Sequence, residues 1–96
     1  MTGQLNTPSG QISASTTSAR AAFTGGARTN MVYIYNGLAA HVHVRSGDST
    51  VVATSADAFI PATTGKVFLK DTSHTHIAVL ASSGTGTVLF AEEVNV

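Results

Sequence analysis

The chain has 96 residues, 43% of them hydrophobic but only 10% charged, and its five basic and five acidic side chains cancel. That length supports one domain, and the charge fraction lies well below the roughly 25% of an average soluble domain. Such a balance argues against a protein that works chiefly by gripping nucleic acid, which needs a clustered basic face. Without cysteine there is no disulfide framework, thiolate metal site or cysteine nucleophile. No apolar run approaches the roughly 18 residues of a membrane span. The start, Met1-Thr2-Gly3-Gln4-Leu5-Asn6, lacks the basic and apolar regions expected of a signal peptide. A near-neutral surface has little repulsion to keep copies apart, which favours self-association or docking on a partner.

Residues 1 to 28 are dominated by Thr, Ser, Ala, Gly and Gln, with Leu5, Ile12 and Phe23 as the only large apolar side chains besides Met1. The first charges are Arg20 and Arg28. Such a stretch buries too little apolar surface to offset an ordering entropy of roughly 1–2 kcal/mol per residue. It reads as an extended N-terminal arm, with at most one strand of its own around Ile12, Ala14 and Thr16, held by another chain. Leu5, Ile12, Arg20, Phe23 and Arg28 are its candidate partner-binding residues.

From Asn30 onward short strands alternate with turns. Met31-Val32-Tyr33-Ile34-Tyr35 is rich in β-branched and aromatic residues and stops at Asn36-Gly37, a strong turn signal. Ala40 to Arg45 alternates cleanly, and Thr50 to Thr54 is another short run. Ala58-Phe59-Ile60 ends at Pro61, and Lys66 to Lys70 follows the turn at Thr63-Thr64-Gly65. Thr75 to Ala81 is nearly continuous in apolar residues, as a central strand would be. Ser82-Ser83-Gly84 reads as a hairpin turn into the last run, Thr85 to Ala91. Nowhere do apolar residues recur at helical spacing for a dozen positions.

Seven strands at this spacing, with an eighth in the arm, indicate a single small antiparallel β-sandwich, jelly-roll-like, over residues 29–96. The expected inward set is Val32, Ile34, Val42, Val44, Val67, Leu69, Ile77, Val79, Val88 and Phe90. Setting aside residues 1–28 of the 96 leaves 68, a domain size that is marginal without staples. Assembly into a dimer or trimer is then the simplest stabiliser. The alternation leaves Tyr33, Tyr35, Phe59 and Phe68 outward; Tyr33, Tyr35 and Phe68 join the partner-binding candidates.

The four histidines are the sharpest chemical feature. His41 and His43 are one residue apart on an expected strand, and His74 and His76 repeat the spacing. Two such pairs facing each other would supply four imidazoles to zinc or iron. A cupin-like site begins in the same way but adds a glutamate a few residues later, and here none follows until Glu92. With Val42 and Val44 inward, His41 and His43 face outward, so no metal site and no cofactor is expected. Asp48, Asp57 and Asp71 sit in turns, where aspartate caps through its own side chain. Glu92 and Glu93 point to opposite faces of a strand. No Gly-x-Ser-x-Gly elbow exposes a serine, and Ser82 to Gly86 lacks the lysine and helix of a phosphate loop. Catalytic residues are not expected.

Val32-Tyr33-Ile34-Tyr35-Asn36, Val42-His43-Val44-Arg45, Thr54 to Pro61 and Thr75 to Val88 together form an order that resembles small virion proteins from the structural modules of tailed bacteriophages and prophages. The resemblance covers residues 30 to 90. It implies a jelly-roll-like capsid decoration or cement protein, bound to the major capsid protein on the virion surface after assembly in the host cytoplasm. A head–tail connector, tail or spike component is the alternative, as is a carbohydrate- or host-surface-binding module that would need Tyr33 and Tyr35 exposed.

Overall fold

The computed structural model describes residues 9–23 and 30–93. These form eight strands and, among the described residues, no helix: β1 (Ser9–Ala14), β2 (Ala19–Ala22), β3 (Met31–Asn36), β4 (Val42–Gly47), β5 (Ala58–Ile60), β6 (Gly65–Leu69), β7 (His76–Ala81) and β8 (Gly86–Glu93). Every pairing is antiparallel, and the strands divide into sheet 1, ordered β1-β8-β3-β6, and sheet 2, ordered β2-β7-β4-β5. β1 pairs with β8, β2 with β7, β3 with β6 and β4 with β5. The strands thus form one long antiparallel hairpin with its tip at β4–β5, rolled over so that successive strands within each of its arms fall in opposite sheets. That nested order is the double-sheet arrangement of a jelly roll, and the expected small β-sandwich is what the chain forms.

Alternation builds the core. Val32 and Ile34 of β3, Val42 and Val44 of β4, Ile77 and Val79 of β7, and Val88 and Phe90 of β8 are all buried between the sheets. Eight of the ten residues expected inside are therefore there. β7 is buried on both faces. Its Ala78 packs outward against Val51 and Ala53, which form a small second cluster with Leu80 on the far side of sheet 2.

Four expectations need correction. The described part of the presumed arm, residues 9–23, belongs to the sandwich, with one strand in each sheet. Ile12 and Phe23, expected to bind a partner, lie in the core, where the Phe23 ring meets Phe90 edge-on with centroids 5.8 Å apart. The partners that a strand poor in apolar side chains needs come from β7 and β8, more than fifty residues away in the chain. Leu5 and Arg28 lie outside the described residues.

The second correction concerns β6, whose parity is opposite to the expected one. Its Phe68 stands opposite the inward Val32, and directly opposed residues share a face. Phe68 therefore turns in and packs against the core, while Val67 and Leu69 face out. Three consecutive apolar residues give no local signal of parity. Lys66 shares the inward side yet reaches out at the open edge, its ammonium 5.6 Å from the Phe68 ring centre. Lys70, just past the end of β6, is buried, with its ammonium 4.8 Å from the Phe23 ring centre.

Third, residues 50–54 join no ladder. The segment lies over sheet 2, where Ser18 Oγ accepts from the Ala53 amide at 3.0 Å and Arg20 Nη1 donates to the Val51 carbonyl at 3.2 Å. Side chains do for this segment what a neighbouring strand would have done. Fourth, the Ser82–Gly84 turn is a corner between sheets, because β7 and β8 belong to different ones.

Candidate interaction surfaces

Sheet 1 presents an outer face built from the positions that alternate with its core residues. Tyr35 stands opposite Leu89, Tyr33 lies between Ala91 and Val67, and Met31 stands opposite Leu69. Gln11, beside Leu89, continues the face onto β1. Tyr33 is 41% exposed, Val67 42%, Leu89 48% and Leu69 81%; Tyr35 is half-buried. The Tyr33 ring lies across Gly65 of β6, where any side chain would overlap its hydroxyl. Glycine there lets an aromatic lie flat on the sheet. Among the described side chains of this face none is charged. An outer sandwich face is ordinarily the polar one, so a largely apolar one is a candidate contact surface.

The outer side of sheet 2 is different. Its apolar centre, Ala78, is covered by residues 51–53 of the same chain, and Arg20 and Arg45 are exposed around it. Beyond them, at the β4–β5 flank, His41, His43 and Phe59 group around a hollow of about 580 Å³ backed by Ala40, Pro61 and Ala62. The His41 and His43 rings stand edge-on with centroids 5.1 Å apart, and Phe59 lies 6.0 Å from His41 and 6.5 Å from His43. His43 Nδ1 is 3.0 Å from the Asp57 carbonyl oxygen. A carbonyl only accepts, so Nδ1 carries the proton and, in the neutral ring, Nε2 is left as an acceptor towards solvent. This surface offers aromatic stacking area and ring nitrogens.

The other histidine pair lies elsewhere. His76 stands opposite Gly47 on β4, whereas His43 stands opposite Leu80, a separation of four residues, or roughly 13 Å along the strand. His74 Nδ1 meets Ser46 Oγ at 2.7 Å and His76 Nδ1 meets Thr75 Oγ1 at 2.8 Å. Among the described residues no three histidine or carboxylate side chains come together.

The aspartates serve the turns. Asp48 accepts from the amide and hydroxyl of Thr50, Asp71 from those of Ser73, and Asp57 from those of Thr54. The hydrogen bonds from Thr50 hold the Asp48 carboxyl below its usual range, those from Ser73 do the same for Asp71, and both carboxyls stay in water. Asp57 also faces the Arg45 guanidinium at 3.6 Å. Glu92 is fully buried, inward from β8, as its parity requires.

Of the partner-binding candidates, then, Tyr33 and Tyr35 lie together on the sheet 1 face, and Arg20 is exposed on the opposite side. Ile12, Phe23 and Phe68 are in or against the core. Sequence reasoning missed Leu89, Val67 and Leu69 as surface residues. Leu89 was legible, since it alternates with Val88 and Phe90; the other two depend on the register of β6. No protein-family model matches the chain, and comparison with curated proteins and with solved structures finds no match.

Proposed function

We propose that this chain is a structural protein of a tailed-bacteriophage virion, a decoration or cement protein that binds the major capsid protein and stabilises the shell. One observation carries the reading: a thin sandwich bears two candidate contact surfaces on opposite sides, the largely apolar outer face of sheet 1 and the His41–His43–Phe59 hollow. A protein that bridges neighbours needs two such surfaces, and a modest contact repeated over many copies gives strong total binding. Jelly rolls serve as viral coat domains and as lectins, so the fold permits the role without choosing it. The sequence resemblance supports the phage assignment, with the protein on the capsid surface after assembly in the host cytoplasm.

Co-sedimentation of the purified protein with shells assembled from the major capsid protein of the same genome tests this. Saturable binding at hundreds of copies per shell is the expected result. No binding overturns the reading, and a dozen or fewer copies per virion indicates the neck or tail instead.

The hollow favours one second reading, glycan binding. The apolar face of a sugar stacks on an exposed aromatic ring, here Phe59, while His41 and His43 offer ring nitrogens to hydroxyls. Binding of the protein to immobilised host-surface glycans, lost in Phe59→Ala, would select it over the capsid role.

A further inference from the structure

We propose that the outer face of sheet 1 is covered by a second copy of this chain, packed face to face across a two-fold axis. This goes beyond the capsid reading, and its test contains no shell protein.

The two sheets of this sandwich treat their outer faces differently. Residues 51–53 cover the apolar centre of sheet 2, and no described segment does the same for Tyr33, Tyr35, Val67, Leu69 and Leu89. The occupant therefore comes from outside the described fold. Charge selects it. A two-fold interface brings each patch onto its own image, so any charge on the patch would meet its like. Glu93, opposite Met31, stands at the end of β8, four residues from Leu89, and the described side chains at the centre of the face carry no charge, so the central residues meet their images without a repulsive pair.

Area agrees. Tyr33, Val67, Leu69 and Leu89 with the exposures observed offer on the order of 400 Å² per copy, so a pair that also covers the flanking Met31, Tyr35 and Gln11 approaches the roughly 1,200 Å² lower bound of a specific, stable interface. Flat four-stranded faces also stack at about 10 Å with interdigitating side chains. The dimer would thus repeat outside the molecule the packing already found between its own sheets.

The centre of the face lies between the two middle strands, β8 and β3, so residues there sit near the axis. Sedimentation equilibrium across a concentration series tests the proposal. The wild-type chain should tend to twice the 9.8 kDa of one chain as concentration rises. Leu89→Lys places two ammonium groups near the axis and should weaken dimerisation at least tenfold. Val52→Lys, exposed on the segment that lies over sheet 2, should leave it unchanged. Should Leu89→Lys fail to fold, Leu89→Cys decides: the chain has no other cysteine, so mild oxidation should cross-link it into a dimer. A wild-type chain that stays monomeric at its highest soluble concentration overturns the proposal. So does a dimer insensitive to Leu89→Lys, or a Leu89→Cys protein that does not cross-link.

Discussion

The side-chain amide of Asn36, at the end of β3, donates to the carbonyl oxygen of Ile60, at the end of β5, at 3.1 Å. The contact ties sheet 1 to sheet 2. The same nitrogen lies 2.8 Å from the Ala40 carbonyl and 3.1 Å from that of Pro61, while Asn36 Oδ1 accepts from the Leu38 amide at 2.9 Å. Asn36 is fully buried, and one side chain satisfies backbone groups on both strands' exits.

An aspartate at that position would replace the donor with an acceptor facing three carbonyls. Asn36→Asp should cost more than Asn36→Ala, itself expected to lose about 1–3 kcal/mol from the acceptors left unpaired. Urea denaturation of the three proteins checks the order. Equal stability of wild type and Asn36→Asp would remove the clamp from the account.

Gly10 carries the second prediction. It lies where β1 crosses the Phe90 ring, and a Cβ there would come within 2.7 Å of Phe90 Cζ. Phe90 is held by Phe23 and cannot move away freely, so Gly10→Ala should destabilise the free chain by about 1–3 kcal/mol. An arm that docks only on another molecule would leave the stability of the isolated chain untouched, and thermal melts at low concentration distinguish the two.

The parity of β6 is open to a paired measurement. Phe68→Ala removes a ring packed against the core and should cost about 2–3 kcal/mol, somewhat below the range for a fully buried phenylalanine. Leu69→Ser alters an outward residue and should change monomer stability by about 0.5 kcal/mol or less. The reverse order of effects would mean that the strand is registered one residue away.

Acid should loosen two turns before it affects the core. The carboxyls of Asp48 and Asp71 are held low by the hydrogen bonds from Thr50 and Ser73. A group with a depressed folded-state pKa stabilises above its unfolded value, and that contribution is lost as pH falls through the folded one. The Thr50 and Ser73 amides should therefore show proton-exchange protection that declines only below the usual aspartate range. Protection that already falls near neutral pH would contradict this.

Period-two alternation between turn residues was enough to locate most strands and to orient several of them. Met31 to Asn36, Val42 to Val44 and Val88 to Phe90 alternate with period two between turn residues, and burial of one face leaves such a pattern a single solution. The apolar run at β7 marked a strand buried on both sides, as Ala78 confirms. The pairings were decided only in three dimensions. Ile12 stands opposite Val88 and Ala21 opposite Ile77, and nothing in a stretch of Ser, Ala and Thr announces a partner so distant in the chain. The same holds for residues 50–54, which look like a strand yet lie across sheet 2 without a ladder, and for Phe68, whose facing follows from Val32 across the sheet. Local alternation encodes facing. Hydrogen-bond register between distant segments encodes neighbourhood, and the apolar face formed by Tyr33, Val67, Leu69 and Leu89 arises only when that register is set.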